Sequence, residues 1–351
     1  MAKKNVIHVV GTGTIGEPLI GLLIEYAKEL GIDEVTFHKN SVTDRPKVKA
    51  LLRRGAKLSV DPANVEGFRS WGVEPHMLHD QALEEASVVI DCSPKGLEMK
   101  EQLYRKYEHN TLGFIAQGSE FGFGTMYARG VNDEVLTGKG KYVQVVSCNT
   151  HNLSCILQTL ALAEGDDNLV EGSFVCMRRA NDISQVKDFC PAPQVGTHKD
   201  GKFGTHHARD AYHLFQTKGL ELNLFSSAVK LPTQYMHSLW FDLRLKRATT
   251  LDALKLRVKA NDRIAITDKK DANTVFSFGR DQGHFGRIMN QTVIPLSTMT
   301  MPNPHRVVGF CFTPQDGNSL LSSVSAALHF IHPADWEQRI QVLKPFFFDE
   351  V

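Results

Sequence analysis

The chain opens with an apolar run, Val6-Ile7-His8-Val9-Val10. It is followed at once by the glycine turn Gly11-Thr12-Gly13-Thr14-Ile15-Gly16 and by a stretch with Ile15, Leu19, Leu22, Leu23 and Tyr26 at helical spacing. A short apolar run ended by glycines reads as a buried strand, and the spacing after it predicts a helix from Thr14 to Leu30. A second strand, Glu34 to His38, comes directly after. Strand, tight turn, helix and strand within about thirty residues form the unit from which parallel sheets are built. The turn itself, a GxGxxG pattern, lets backbone N–H groups and a helix N-terminus approach a dinucleotide pyrophosphate.

The alternation continues with a helix near 46–54, a strand at 57–60, a helix at 63–71, a strand at 87–92, a helix at 97–107 and strands at 112–116 and 142–146. This predicts a doubly wound parallel sheet over residues 1–147, a Rossmann-type dinucleotide-binding domain. After Cys148 a helix carrying Leu153, Ile156, Leu157 and Leu160 leads into longer apolar strands at 172–177, 222–229, 238–245, 263–267 and 307–312. These alternate poorly with helices and suit an α+β catalytic domain with a mixed or antiparallel sheet, assigned to 148–312. Residues 181–206 and 278–305 read as long loops, and their interspersed apolar side chains predict an oligomer interface. A helix at 317–330 is expected to return, within 313–351, to the dinucleotide-binding domain.

Charge removes some functions. With 40 Lys+Arg against 39 Asp+Glu there is no basic excess of the kind that drives nucleic-acid binding. No stretch approaches the length of a membrane span, and the N-terminal segment has too few apolar residues before its glycines to read as a signal peptide. The six cysteines lack the paired spacing of a zinc site and the density of a disulfide scaffold, so no metal is expected and a reducing cytoplasm is.

Three groups of residues carry candidate chemistry. At the end of the second strand His38-Lys39-Asn40-Ser41 lacks the acid that would hold a ribose 2′-OH, and Lys39 is placed to pair with a 2′-phosphate, so NADP should be accepted as well as NAD. Ser147-Cys148-Asn149-Thr150 sits between a strand and a helix, where the positive end of the helix dipole favours a thiolate nucleophile. A buried inert cysteine is the alternative, and it is the reading given to Cys155. His206-His207 in a glycine-bearing loop, and His237 before an apolar strand, are candidates for anion binding and general base. Arg178-Arg179 could hold phosphate or a neighbouring subunit, with a structural ion pair as the alternative.

The motifs GTGTIG, IDCSPKG, IAQGSE, VVSCNT, MRRAND, THHARD, LPTQYMH and FGRDQG stand in the order and spacing of one family. Across nearly its whole length the chain resembles the archaeal-type glyceraldehyde-3-phosphate dehydrogenases. The resemblance implies Cys148 as nucleophile and His237 as catalytic base. It implies dinucleotide contacts from Gly11, Gly13, Thr14, Ile15, Gly16, Gly118, Arg179 and Gln315. Ser147, Asn149, Thr150, His206, His207 and Arg209 would contact substrate and phosphate. The implied partners are a phosphorylated aldehyde, inorganic phosphate and three further copies of the chain in a homotetramer. Ser119, His151-Asn152, Ala208-Arg209 and Ser238-Leu239 depart from the family's pattern, all on the substrate side. A related semialdehyde-type dehydrogenase and a catalytically inactive dinucleotide-binding regulator are the alternative readings; the joint presence of VVSCNT, the histidine pair and PTxxMH argues against both.

Overall fold

Every residue of β1 (Val6–Val10) is buried, as the centre of a parallel sheet covered on both faces requires. A computed structural model describes residues 4–118, 120–163, 167–183, 185 and 189–351. The chain divides into two units. One comprises the residues up to Thr125, with Leu136–Val145 and Leu320–Lys344; the other comprises Met126–Val135, Val146–Ser319 and Pro345–Val351.

The first sheet contains β1, β2 (Glu34–His38), β3 (Lys57–Val60), β4 (Met77–Leu78), β5 (Val88–Asp91), β6 (Gly113–Gln117), β7 (Thr125–Tyr127) and β8 (Tyr142–Val145). Their order is β4-β3-β2-β1-β5-β6-β8-β7. The chain steps outward from β1 to β4 and then returns to the other side of β1 as β5. All β1, β2, β3 and β5 pairings are parallel. This reversal between β1 and β5 is a topological switch point, the place where open parallel sheets leave a crevice beyond their strand ends. The helix expected over 14–30 divides into Gly16–Glu25 and Ala27–Leu30, because Tyr26 leaves the helical region (φ −110°, ψ 18°).

The second sheet contains β9 (Leu169–Arg178), β10 (Gln194–Val195), β11 (Leu224–Lys230), β12 (His237–Leu245), β13 (Ile264–Thr267), β14 (Thr292–Pro295), β15 (Thr300–Asn303) and β16 (Arg306–Thr313). The order is β10-β11-β9-β12-β16-β14-β13, with β15 paired to β16. β9 pairs in parallel with β11 and antiparallel with β12, so the sheet is mixed. The Rossmann-type sheet and the mixed-sheet α+β unit are the two halves expected from the sequence. Alternate residues of β12 from His237 to Leu245 turn inward, and Leu239, Phe241 and Leu243 meet Leu153, Ile156, Leu157 and Leu160 of the helix Cys148–Leu160 in one core. Each such side chain contributes about 2 kcal/mol by leaving water.

One expectation changes. Residues 278–305 are not an irregular loop: they hold the end of a helix (Ala272–Gln282), β14 and β15, and Val293 and Ile294 are fully buried in the sheet. The apolar side chains there serve the core, which explains why they recur among polar residues. The helix Gly317–Ile331 carries the chain into the first unit, where Gln117 Nε2 donates to Ser323 Oγ (2.5 Å) and His332 Nε2 donates to the Gly31 carbonyl (2.9 Å). The last seven residues belong to the second unit, with the Val351 N–H donating to the Ile266 carbonyl at 2.9 Å. Among the described residues no helix is long and apolar enough to cross a membrane.

Candidate functional site

The first unit holds a ligand-sized crevice at its switch point. Gly11 follows β1 with φ +94°, a conformation that side chains other than glycine rarely adopt. A Cβ on Gly16 would lie 2.1 Å from the Gly11 carbonyl oxygen, so only glycine lets the helix start this close to the turn. No side chain caps that helix N-terminus, whose position is set by Ile15. Thr14 and Ile15 therefore lie in the turn at the mouth of the helix. A cavity of about 630 Å³ is lined by Gly11, Thr12, Gly13, His38, Lys39 and Asn40, together with Asp61, Asp80, Cys92 and Ser93. Glycines, an uncapped helix end and a cavity of this size fit a dinucleotide phosphate. Gly118 directly follows β6 of the same sheet, with φ +76°.

Lys39 is half-buried beside this cavity, and its Nζ donates to Thr43 Oγ1 at 3.1 Å. The reading that no acid faces the 2′ position considered only the end of β2. The structure brings Asp61, one residue past β3, and Asp80 to the same cavity. The signal was present, because strands in a parallel sheet end on one edge, so the residue after β3 arrives beside the residue after β2. Two other features have no spacing signal. His38 and His79 stack at 3.7 Å between ring centroids, and burial lowers both imidazoles to about 4, so both are neutral. Lys47 donates to the Thr12 carbonyl (3.2 Å) and pairs with Glu17 (3.2 Å) and Asp44 (3.1 Å), bracing the glycine turn.

The second unit holds the cysteine. Ser147 caps the helix Cys148–Leu160, its Oγ accepting the Thr150 N–H at 3.3 Å, and Cys148 is the first helical residue. The helix is buried on nearly every side, so its polar residues need internal partners. Asn149 Nδ2 donates to His207 Nε2 (3.3 Å) and Asn149 Oδ1 accepts from Thr313 Oγ1 (2.8 Å). His207 Nδ1 in turn meets Thr205 Oγ1 at 3.1 Å, which sets the imidazole tautomer. His206 lies on His207, ring centroids 3.9 Å apart, and lines a cavity of about 400 Å³ with Arg178, Lys199 and Arg209. Burial, Arg178 and Arg209 hold His206 down at about 4. Arg209 also donates through Nε and Nη2 to Asp210 Oδ1 (3.0 and 2.8 Å). Arg178, Lys199 and Arg209 share this cavity with Asp200 and with backbone from Gly196 and Gly204, a lining that could hold an anion.

Arg179 joins the remaining groups. Its backbone N–H donates to His237 Nδ1 at 3.1 Å, and its Nη2 donates to Asp182 Oδ1 (2.7 Å) and Asp316 Oδ2 (3.3 Å). Gln315 Nε2 also donates to Asp316 Oδ2 (3.3 Å), and Asn318 Nδ2 donates to the Cys148 carbonyl (3.1 Å). Arg179 Nε and Gln315 Oε1 are buried without a hydrogen-bond partner among the described residues. A bound ligand could complete the bonding of both atoms. Two non-glycine residues here have positive φ, Met236 at 45° immediately before His237 and Asp316 at 57°. Backbone strain of this kind collects at functional sites.

Burial governs the resting protonation of Cys148 and His237. The Cys148 thiol is pushed up from its ordinary range, first by burial and then by the Asp316 carboxylate, against a smaller opposing effect of Arg179. The helix N-terminus alone therefore does not make the resting sulfur a thiolate. His237 is kept neutral by burial and by Arg179 and Arg178. Its Nδ1 lone pair accepts the Arg179 N–H, so the neutral resting ring carries its hydrogen on Nε2.

The sequence-derived residues thus fall into two groups. Gly11, Gly13, Thr14, Ile15, Gly16, Lys39 and Gly118 lie in the first unit, and Cys148, Ser147, Asn149, Thr150, Arg179, His206, His207, Arg209, His237 and Gln315 in the second. Several family departures serve the interior. His151 Nδ1 donates to the Ser147 carbonyl (3.0 Å), Asn152 bonds Thr313 and Cys311, the Ala208 N–H donates to Ser226 Oγ, and Leu239 is in the core. Ser238 pairs in register with Met177 and Phe312, and Ser119 lies outside the described residues.

Comparison with known proteins gives relatives of one name. The glyceraldehyde-3-phosphate dehydrogenase of Pyrobaculum neutrophilum is 26% identical over 291 residues, covering 79% of this chain and 78% of that protein. That of Methanothermus fervidus is 27% identical over 280 residues, 76% and 75% of the two chains. The chain is similar to archaeal-type glyceraldehyde-3-phosphate dehydrogenases. The protein of that name from a Saccharolobus islandicus strain is 24% identical over 278 residues, 76% of this chain and 74% of its own. No protein-family model matches the chain.

Proposed function

We propose that the protein is a phosphorylating glyceraldehyde-3-phosphate dehydrogenase, converting glyceraldehyde 3-phosphate and inorganic phosphate to 1,3-bisphosphoglycerate, reversibly, with NADP or NAD. The observation that carries the reading is the shared frame of the cysteine and the anion cavity. Asn149, the residue after Cys148, is hydrogen-bonded to His207, which lies against His206 and lines the pocket of Arg178, Lys199 and Arg209. A substrate phosphate held in that pocket would be positioned by the same residues that fix the start of the cysteine helix.

In this reading Cys148 Sγ adds to the aldehyde carbon, the carbonyl oxygen being held by His237 Nε2–H, and the S–H proton passes to that oxygen to give a thiohemiacetal. When bound, the nicotinamide of NADP or NAD supplies the two-electron acceptor that turns the adduct into a thioester. The glycine turn would hold its pyrophosphate, with Lys39 near the adenosine ribose. Arg179 Nε and Gln315 Oε1 are a donor and an acceptor without partners, suited to an amide group. A phosphate oxygen then attacks the thioester carbon, and the C–S bond breaks to return the thiol and release the acyl phosphate.

Spectrophotometric reduction of NADP and NAD with glyceraldehyde 3-phosphate, with and without inorganic phosphate, tests the proposal. Turnover that depends on phosphate supports it. No reduction with either cofactor would remove it, and equal rates without phosphate would replace the acyl phosphate with a hydrolytic product.

A further inference from the structure

Three histidines pack together inside the first unit: His8 on β1, His38 at the end of β2 and His79 at the start of the helix His79–Glu85. His8 Nδ1 meets Thr36 Oγ1 at 2.6 Å, and His8 Nε2 meets His79 Nδ1 at 3.4 Å. His79 stacks on His38 at 3.7 Å between ring centroids, and both rings line the cavity of Lys39 while being no more than 6% exposed. The His38 carbonyl accepts the Gly11 N–H at 3.3 Å, which joins this end of β2 to the glycine turn. Nε2 of His38 and Nε2 of His79 are buried without a hydrogen-bond partner among the described residues. His38 Nε2 nevertheless stands 3.4 Å from Asp61 Oδ1, and Asp61 lines the same cavity. The other charges around the stack are already engaged. Asp80 accepts from the Tyr107 hydroxyl at 3.2 Å, Lys95 pairs with Glu98 at 3.4 Å, and Asp44 and Lys47, beside Lys39, pair with each other at 3.1 Å. Burial keeps His8 neutral and the Cys92 thiol protonated. Lys39 therefore shares the cavity with two carboxylates, Asp61 and Asp80, and an added phosphate dianion is left short of positive charge.

We propose that His38 and Asp61 form a proton-linked selector between NADP and NAD, a role that rests on the dinucleotide binding proposed above. With His38 neutral, the Asp61 carboxylate repels a 2′-phosphate and can accept the 2′-OH of NAD. When a 2′-phosphate enters, His38 takes one proton from solvent. An imidazolium carries an N–H on each nitrogen, so Nε2 donates to Asp61 whichever tautomer preceded it. The new pair cancels the carboxylate that shares the cavity with the phosphate. His79 stays neutral, because a second cation 3.7 Å away across the stack is disfavoured, and the stack takes up a single proton. On their own both rings are held at about 4, chiefly by burial, and a phosphate dianion in the same cavity should lift His38 to about 6.

His38→Phe tests the assignment, because a phenyl ring keeps the stack on His79 but takes no proton. NADP and NAD are titrated against the full chain by fluorescence at about pH 8 and about pH 5.5, and the ratio of the two affinities is compared. The 2′-phosphate of NADP itself titrates near about 6, alike for parent and variant, so the difference between the two proteins isolates the ring. Acidification should raise the affinity ratio of NADP to NAD about fourfold more in the parent than in His38→Phe, as expected of a group lifted from about 4 to about 6. Asp61→Asn should raise the ratio about tenfold at the higher pH and bring the pH response toward that of His38→Phe. Calorimetry of NADP binding near pH 6, in two buffers of different ionisation enthalpy, counts the proton: the parent should take up about half a proton more than His38→Phe. A ratio that responds to pH equally in parent and His38→Phe, equal proton uptake, or a ratio that Asp61→Asn leaves unchanged overturns the proposal. If His38→Phe proves unfolded by circular dichroism, Asp61→Asn, at a partly exposed site, decides by the same measurements. Binding of neither dinucleotide to the parent removes the functional reading and this role with it, whereas binding of both with a ratio that ignores His38 removes the role alone.

Discussion

Replacing Gly16 with Ala separates the glycine turn from every other part of the chemistry. The added Cβ would stand 2.1 Å from the Gly11 carbonyl oxygen and 2.9 Å from its carbon, both backbone atoms that no rotamer can move aside. Restoring an ordinary contact requires the turn and the helix to separate by roughly 1 Å. Gly11 is tethered by its N–H bond to the His38 carbonyl (3.3 Å) and lies against the backbone of Cys92, so the shift falls on the surface proposed to receive the pyrophosphate. Overpacking of this kind costs about 1–3 kcal/mol. For a unit of this size each kcal/mol lowers the melting temperature by roughly 2–4 °C. Fluorescence titration with NADP and with NAD should show at least about a tenfold loss of affinity for both, some 1.4 kcal/mol, because the contact concerns the shared pyrophosphate. Cys148 alkylation should keep its parent rate and pH profile. Parent-like affinity for both dinucleotides, with the expected drop in melting temperature, would show that the turn is a structural device and not a ligand cradle.

Cys148→Ser should abolish aldehyde oxidation and leave dinucleotide titrations unchanged, since a hydroxyl is a far weaker nucleophile near neutral pH; Cys155→Ser, at a fully buried site, should keep turnover and cost about 1 kcal/mol of stability by denaturant unfolding. Lys39→Glu should lower the affinity ratio of NADP to NAD by about tenfold or more, because Asp61 and Asp80 already line that cavity and Lys39 supplies the opposing charge; an unchanged ratio would place discrimination elsewhere. Acid should weaken the fold before the carboxylates titrate. His38, His79, His151 and His206 are each lowered from 6.5 to about 4, chiefly by burial. The unfolded chain therefore binds protons below pH 6.5 that the folded chain refuses, and stability falls progressively from pH 6.5 toward 4 by a few kcal/mol, visible as a falling melting temperature with net proton uptake on unfolding. A melting temperature constant between pH 7 and 5 would contradict the buried, neutral state of these rings.

What could be read along the chain was local. Val6–Val10 and GTGTIG define a strand and the turn after it because both depend on neighbours a few residues apart. The same holds for Cys148 at a helix start, where Ser147 supplies the cap from the adjacent position. Periodicity also gave the parallel sheet and the mixed one. It misread residues 278–305, because short buried strands inserted between turns carry too few residues to show a period. The protonation states were out of reach for a different reason. The resting state of Cys148 depends first on burial and then on Asp316, 168 positions away, and on Arg179; the resting tautomer of His237 depends on the Arg179 N–H, 58 positions away. Asp61 reaches the cavity of Lys39 only because β2 and β3 end on the same edge. Residue type and spacing determine which groups can do chemistry, but charge and tautomer follow from desolvation and from hydrogen bonds between distant segments, and those exist only once the sheets have brought the segments together.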